Sequence, residues 1–304
     1  ILNMKYHYDA NELKNIACFD NEIFNLPYTI ELYNDKKTKK ISSKLNFSFL
    51  KLQIESQIDT IGEEIEGNSE VILNKSKSIL NYKLNKNRFD FKYFDKFKDT
   101  KFFYDGFINL TPFYSSLNGK TEKLNLDNFF NSDGLIVQLL KTEILNNKNI
   151  DFDLKINSKN FYNNSIFKNI KINAKIKDGL IDVDNTEFKW KNFADFTLVE
   201  SLIFVKDGEL ILDGKLDINI NNHDKIYKFL LTPKNLRKKI KKINASFSYN
   251  FDQKSTKLTD IKINSKYSQN INRIISNIIL KENKMQNKIY LRNLLNKFIK
   301  FYEG

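Results

Sequence analysis

The sequence predicts a mainly β protein: an elongated antiparallel sheet of long, meandering strands with a few amphipathic helices. Three observations predict it. Apolar and polar residues alternate with period two from about residue 28 to residue 265, which gives each strand one apolar and one polar face, as in a half-buried antiparallel sheet. The pairs Asp178-Gly179 and Asp207-Gly208 sit between alternating runs, where Asp-Gly supplies the positive φ values of a tight hairpin. The runs are about ten residues long and span about 33 Å at about 3.3 Å per residue, longer than the usual strand.

Taken in order, Ile1–Ala17 fits either a helix or an incomplete strand. Leu45, Phe47 and Phe49 alternate with polar neighbours, and near Phe49-Leu50 the apolar phase slips by one into Leu50, Leu52 and Ile54. A β-bulge there would restore the facing. Phe89, Phe91 and Tyr93 continue the pattern, as do Phe107 and Leu110. Asp127–Leu145 changes to helical spacing, with Asp127 as N-cap and Phe130, Leu135, Leu139, Leu140 and Ile144 along one stripe.

The strictest alternation follows: Ile150, Phe152, Leu154 and Ile156; then Ile170, Ile172, Ala174 and Ile176; then Leu210, Leu212, Leu216, Ile218 and Ile220. These strings lay out a meander over residues 166–177, 180–190, 195–205 and 209–220. Asn222–Leu231 reads as a short helix stopped before Pro233. Gln269–Leu280 and Lys288–Tyr302 read as amphipathic helices, the second with Leu291, Leu294, Leu295, Phe298 and Ile299 on its apolar side. Such stripes ordinarily pack onto the sheet; lying on a membrane surface is the rarer use.

Composition narrows the function classes. Hydrophobic residues make up 41% and charged residues 29% of the 304, too apolar for disorder. Glycine (9) and proline (3) are scarce, which argues against nucleotide-cradling loops and flexible linkers. Lysine and arginine exceed the acids by 50 to 37, a formal +13. That surplus attracts the phosphates of nucleic acid or of anionic lipid alike. Only Arg88, Arg237, Arg273 and Arg292 carry the guanidinium fork that reads bases, so no nucleic-acid partner is expected. No apolar run approaches the roughly 20 residues of a membrane span. The chain begins at Ile1, which suggests a fragment or processed form.

The residues of catalysis are thinly spread. His7 and His223 are the only histidines, and Cys18 is the only cysteine, so no disulfide forms within the chain and neither histidine has metal-ligand spacing. Ser42-Ser43 and Ser115-Ser116 lie outside any nucleophile elbow. Glu63-Glu64, Asp151/Asp153, Asp182/Asp184 and Asp213/Asp217 pair carboxylates. Acid–base work needs them in a dry cleft, whereas strand alternation places Asp151 and Asp153 on a polar face, and Asp182 and Asp184 likewise if Ile181 and Val183 point in, where they keep that face wet and pair with neighbouring lysines. The chain is therefore expected to be no enzyme and to need no cofactor or metal.

Residues 104–126 resemble a passage of AsmA-like proteins, in which a Gly-x-Ile-x-Leu-x-Pro-Phe strand (here Gly106, Ile108, Leu110, Pro112 and Phe113) leads into a second strand and then a helix. Residues 147–220 are similar to the C-terminal AsmA-like region: a strand ending in Ser158-Lys159-Asn160, a strand from Phe167 to the Asp178-Gly179 hairpin, and a further hairpin around Asp207-Gly208. The resemblance covers about residues 100–265. It divides the chain into an N-terminal β-rich part of a groove (1–126), a helix (127–146), an AsmA-like C-terminal β-sheet (147–268) and C-terminal amphipathic helices (269–304).

The resemblance implies a sheet curled into a groove, a periplasmic location in Gram-negative bacteria, and an inner-membrane anchor supplied by an N-terminal segment absent from this sequence. It also implies phospholipid as the partner, with lipid transport or outer-membrane biogenesis as the role. The expected groove lining is Phe152, Leu154, Ile156, Ile170, Ile172, Ile176, Leu212, Leu216 and Ile218. The alternative is a scaffold or assembly factor for outer-membrane proteins that carries no lipid. Outer-membrane or other envelope proteins are possible partners under either.

Overall fold

The structure, a computed structural model, describes residues 3–23, 26–37, 40–61, 64–95, 102–125, 137, 140–141, 150–162, 164–177, 179–275, 278–281, 284 and 287–302. The protein is mainly β, with twenty strands, most of them antiparallel to their neighbours, and three helices whose extents are described. It divides into two compact units, Ile1–Glu122 with Asn149–Asp153, and Lys123–Lys148 with Leu154–Gly304.

The first unit is a meander of β1 (Asn3–Asp9), β2 (Lys14–Ile23), β3 (Leu26–Asp35), β4 (Lys40–Phe47), β5 (Leu52–Ile61), β6 (Glu64–Leu73), β7 (Ser76–Asn85), β8 (Arg88–Asp95), β9 (Phe102–Leu110) and most of β10 (Phe113–Leu124). From β1 to β10 each strand pairs antiparallel with the next without a register slip. The opening segment is therefore strand, because Met4, Tyr6 and Tyr8 alternate with Lys5 and His7 at period two.

The phase slip at Phe49-Leu50 is a turn and not the expected bulge. Phe47 pairs with Leu52, and the Leu50 N–H bonds to the Phe47 carbonyl at 3.1 Å. Four intervening residues return the chain with both apolar sets on one face. Ser48, Phe49, Leu50 and Lys51 include neither glycine nor proline, and Lys51 adopts the positive φ (49°) itself. The usual punctuation of a hairpin is missing.

The second unit contains β11 (Phe152–Phe161), β12 (Asn164–Lys177), β13 (Leu180–Asp182), β14 (Glu187–Trp190), β15 (Ala194–Lys206), β16 (Glu209–Ile220), β17 (Lys242–Asn250), β18 (Ser255–Ile263), β19 (Lys266–Tyr267) and β20 (Ile279–Lys281). Asp207 (φ 52°) and Gly208 (φ 77°) make the tight β15–β16 turn that the sequence predicts. Within the first unit Ser115 N–H bonds to Asp151 O at 2.9 Å, and within the second Tyr162 N–H bonds to Leu124 O at 2.8 Å.

Helices cover the apolar side of this sheet. α1 (His223–Leu230) is capped by the Asn222 side chain and ends at Leu231 with φ 57°. α2 (Gln269–Ile275) and α3 (Lys288–Phe301, capped by Asn287) follow. α2 is shorter than expected, since Ile279–Lys281 leaves the helix to pair with β18. There it buries Leu280 and extends the sheet. Ile226, Tyr227 and Leu230 of α1, Ile271 and Ile275 of α2, and Leu294, Phe298 and Ile299 of α3 form one core with Ala194, Ala245, Ile261 and Ile263. A second cluster gathers Val137 and Leu140 over Ile181, Ile203 and Leu210. Of the expected helix 127–146, only Val137, Leu140 and Lys141 are described, and all three are helical; Asp127, Phe130, Leu135, Leu139 and Ile144 lie outside the described residues.

Candidate apolar binding face

Register and alternation sort the side chains of the first unit onto two faces, since directly paired residues share a face and successive residues do not. One row across the sheet reads Ile30, Leu45, Ile54, Val71. Another reads Ile41, Ile58, Gly67, Tyr82, Phe91. Between them run Ser43, Ser56 and Ser69, followed by Leu80 and Tyr93. Met4, Tyr6 and Tyr8 of β1 and Leu117 of β10 extend the same face. It is apolar across ten strands.

The burial on this face is inverted relative to a core. The buried side chains are small: Ser69 is 0% exposed, Ser78 4% and Val71 6%. Val71 is the one apolar side chain of this unit that is buried among the described residues, while the larger residues beside it stay half-exposed and Met4 and Tyr6 are exposed. Short side chains are shielded by taller cross-strand neighbours, and among the described residues nothing shields the tall ones. The second unit shows the opposite order, with Ile170, Leu210, Ile271 and Ile275 at 0–1% exposure.

Local packing furnishes the face. The Ser56 and Ser69 hydroxyls bond each other at 2.6 Å and Tyr93 donates to Ser78 at 2.9 Å, so these polar groups satisfy one another. Tyr82 lies on Gly67, where a Cβ would meet its ring within 2.1–2.4 Å. Tyr82, Phe89 and Phe91 form one set of ring contacts (5.3–5.9 Å between centroids), and Tyr93, Phe102 and Tyr104 another (5.4–6.3 Å). Burial beside Tyr93 and Phe102 pushes the Tyr104 hydroxyl above its ordinary pKa. Such a surface offers dispersion contacts and few directional bonds, which suits an aliphatic chain.

The reverse face is polar and internally paired. Lys44 meets Glu55 at 3.3 Å, Lys77 meets Glu70 at 2.7 Å, and Lys83 reaches Glu64 (2.5 Å) and Glu66 (3.2 Å). Arg88 binds Asp90 and lies 3.9 Å from the Phe107 ring centre. The bond to Glu31 pushes the Tyr33 hydroxyl up to about 12. One face of this unit is made for water and the other is not.

The sequence-predicted lining falls largely elsewhere. Phe152 belongs to the first unit, and the remaining eight residues lie in the second. Ile156 (6% exposed) and Ile170 (1%) are buried. Ile176 and Leu212 pack against the cluster under Val137 and Leu140, and Ile218 packs against the core under the three helices. Leu154, Ile172 and Leu216 are half-buried. Residues 1–126 were expected to form part of the groove, but none of the predicted lining residues was taken from them, although Leu45, Phe47, Phe89 and Phe91 carry the same alternation. The signal of this face was a lack of helical spacing across residues 28–110, which leaves that stretch nothing to cover itself with.

The paired carboxylates have structural partners. Asp184 accepts the Ser201 N–H at 2.6 Å, Asp182 accepts the Asp184 N–H at 2.8 Å, and Asp153 accepts from the Tyr114 hydroxyl at 2.9 Å. Asp182 and Asp184 thus tie backbone and do not pair with lysines as expected. Burial pushes the Asp217 carboxyl up, yet Lys242 and Asn244 outweigh it and hold the pKa low. Among the described residues no group of histidine, cysteine or acidic side chains could hold a metal ion, and no helix is long and apolar enough to cross a membrane. No family model matches the chain, and no curated protein matches it.

Proposed function

We propose that this chain is a non-enzymatic envelope protein whose first unit binds phospholipid acyl chains on its apolar face, in support of lipid transport or outer-membrane biogenesis. One observation carries the reading: ten strands present a continuous apolar face on which, among the described residues, only Val71 is a buried apolar side chain. Soluble proteins rarely expose apolar patches of this extent without an occupant, and acyl chains need apolar walls without directional bonds. The periplasmic location, the membrane anchor and the AsmA-like kinship belong to the same proposal.

Two measurements test it. Mass spectrometry of gently purified protein should find phospholipid, and lipid-free protein would sink the reading. Ile54→Lys on the face should abolish lipid binding at a stability cost of about 1 kcal/mol or less, because the lysine stem lies along apolar surface with its head in water. Ile271→Lys, at 0% exposure, should unfold the second unit, since a buried unpaired charge is far costlier. The helix-covered apolar side of the second unit favours the scaffold reading for that half of the chain. Unchanged lipid content in Ile54→Lys would extend that reading to the whole.

A further inference from the structure

We propose that the helical layer of the second unit docks on the surface of an anionic phospholipid bilayer, with lysines against the headgroups and Leu231 and Ile289 entering the interface. The inference rests on the second unit alone and is independent of the acyl-chain reading of the first.

The positive surplus of the chain is confined to this layer. Residues 222–241 and 264–304, which contain α1, α2 and α3, hold 15 lysines and arginines against 3 acids. The remainder of the chain holds 35 against 34. A bias of composition enriches lysine throughout but does not strip the acids from one layer. The lysines of the layer point away from the sheet. α1 and α3 turn Ile226, Tyr227, Leu230, Leu294, Phe298 and Ile299 into the core, while Lys225, Lys228, Lys297 and Lys300 are exposed. Elsewhere in this unit lysines meet acids, as Lys171 meets Glu187 at 3.2 Å and Lys242 meets Asp217 at 2.8 Å. Among the described residues, Lys225, Lys228, Lys297 and Lys300 meet no carboxylate. Such a one-signed surface attracts an anionic one.

Two apolar side chains stand among these lysines. Ile289, 69% exposed, shares the outward side of α3 with Asn296 and Lys300, at spacings of seven and four residues. Leu231, 68% exposed, ends α1, and its two chain neighbours hold Asn296. The Thr232 hydroxyl donates to Asn296 Oδ1 at 2.6 Å, and Asn296 Nδ2 donates to the Leu230 carbonyl at 2.9 Å. Leu231 therefore lies beside the same stripe of α3. The fold itself has no use for a leucine there. Its backbone is left-handed (φ 57°), where glycine or asparagine is usual, and its side chain gains little burial.

A bilayer surface supplies what both kinds of side chain lack. Lysine ammonium groups reach lipid phosphates while their stems lie along apolar surface. Leucine and isoleucine enter the boundary between headgroups and acyl chains. A nucleic-acid backbone would satisfy the lysines and leave both apolar side chains against phosphate.

The full chain is sedimented with vesicles of phosphatidylglycerol and phosphatidylcholine and with vesicles of phosphatidylcholine alone, and is titrated with duplex DNA. Lys297→Gln/Lys300→Gln is compared with Lys257→Gln/Lys262→Gln, an equal change at exposed positions of β18 on the face away from the helices. Leu231→Asn removes the apolar side chain and suits the left-handed backbone better, so its Tm should hold or rise. All variants share the first unit, so vesicle binding through that unit is common to them. On anionic vesicles the Lys297/Lys300 pair should lose about 25-fold, at about fivefold per lysine, and the β18 pair should change little. Leu231→Asn should lose about tenfold, the low end for burying a leucine. The proposal is overturned if the two lysine pairs match, if Leu231→Asn binds anionic vesicles like wild type, or if anionic vesicles bind no better than neutral ones. DNA binding that the Lys297/Lys300 pair loses, with vesicle binding indifferent to Leu231→Asn, would overturn it in favour of a nucleic-acid surface.

Discussion

Asn272 replaces a β-strand with a side chain, and removing it should destabilise the second unit. Along the edge of β18, β20 pairs with Ser255–Lys257 and β19 with Lys262 and Ile263. Between them the Asn272 amide, on α2, accepts the Ile261 N–H at 2.7 Å and donates to the Ile261 carbonyl at 2.9 Å. It also donates to the Ser268 carbonyl at 2.9 Å, and the residue is 7% exposed. Asn272→Leu leaves the N–H and C=O of Ile261 buried and unpaired, at about 1–3 kcal/mol each. Ser268 keeps the Asn272 backbone N–H at 3.0 Å, so it adds little. A loss of about 4 kcal/mol follows, or about 8–16 °C in Tm at roughly 2–4 °C per kcal/mol for a unit of this size.

The aspartate variant sharpens the test. Asn272→Asp still accepts from Ile261 but turns its second oxygen toward two carbonyls. That raises its folded-state pKa, so the folded form gains stability as pH falls through that value and loses it as pH rises. Urea unfolding of the three proteins at pH 7 and pH 5 measures both effects. Asn272→Leu within about 1 kcal/mol of wild type, or an aspartate variant indifferent to pH, would refute the account.

Other perturbations separate the two units. Gly214→Ala should cost about 1–3 kcal/mol by overpacking, because a Cβ there meets the Oγ, Cβ and Cα of buried Ser201 at 2.1, 2.6 and 2.9 Å. Gly67→Ala should cost far less, because the atoms it meets belong to the Tyr82 ring, which can swing away on the half-exposed face; thermal melts compare the two directly. For Asp252, burial pushes the carboxyl up, but the Lys141 ammonium and the Leu210 N–H together hold it below its ordinary value. A depressed pKa stabilises the fold above the ordinary carboxylate range, and that contribution fades as pH falls below about 4. Asp252→Asn should therefore lose about 1–3 kcal/mol at pH 7 and converge on wild type in acid. Denaturation curves from pH 7 to pH 3 would show a constant gap if the ion pair did not matter.

Alternation is a local property, written every second residue, and it determined which residues form strands and which side chain of each strand is apolar. The α1 and α3 limits were equally legible, because Asn222 and Asn287 cap them within one turn. Turns were legible where glycine marks them, as at Asp207-Gly208, and illegible at Ser48–Lys51, where a lysine takes the left-handed conformation at its own expense. Asn272 looked like an ordinary helix residue, since nothing near it in sequence shows that Ile261 lacks a partner.

Cover is the property that sequence could not decide. Ile170, Ile176, Leu212 and Ile218 alternate as cleanly as Ile54 and Leu80, and the sequence predicted a lining from the former set. Only the tertiary structure distinguishes them. Val137, Leu140 and α1 to α3, distant in the chain from much of the sheet they cover, close over the second unit, and no described helix lies in the first. A strand specifies its apolar face by its own residues, whereas the burial of that face depends on where remote segments land.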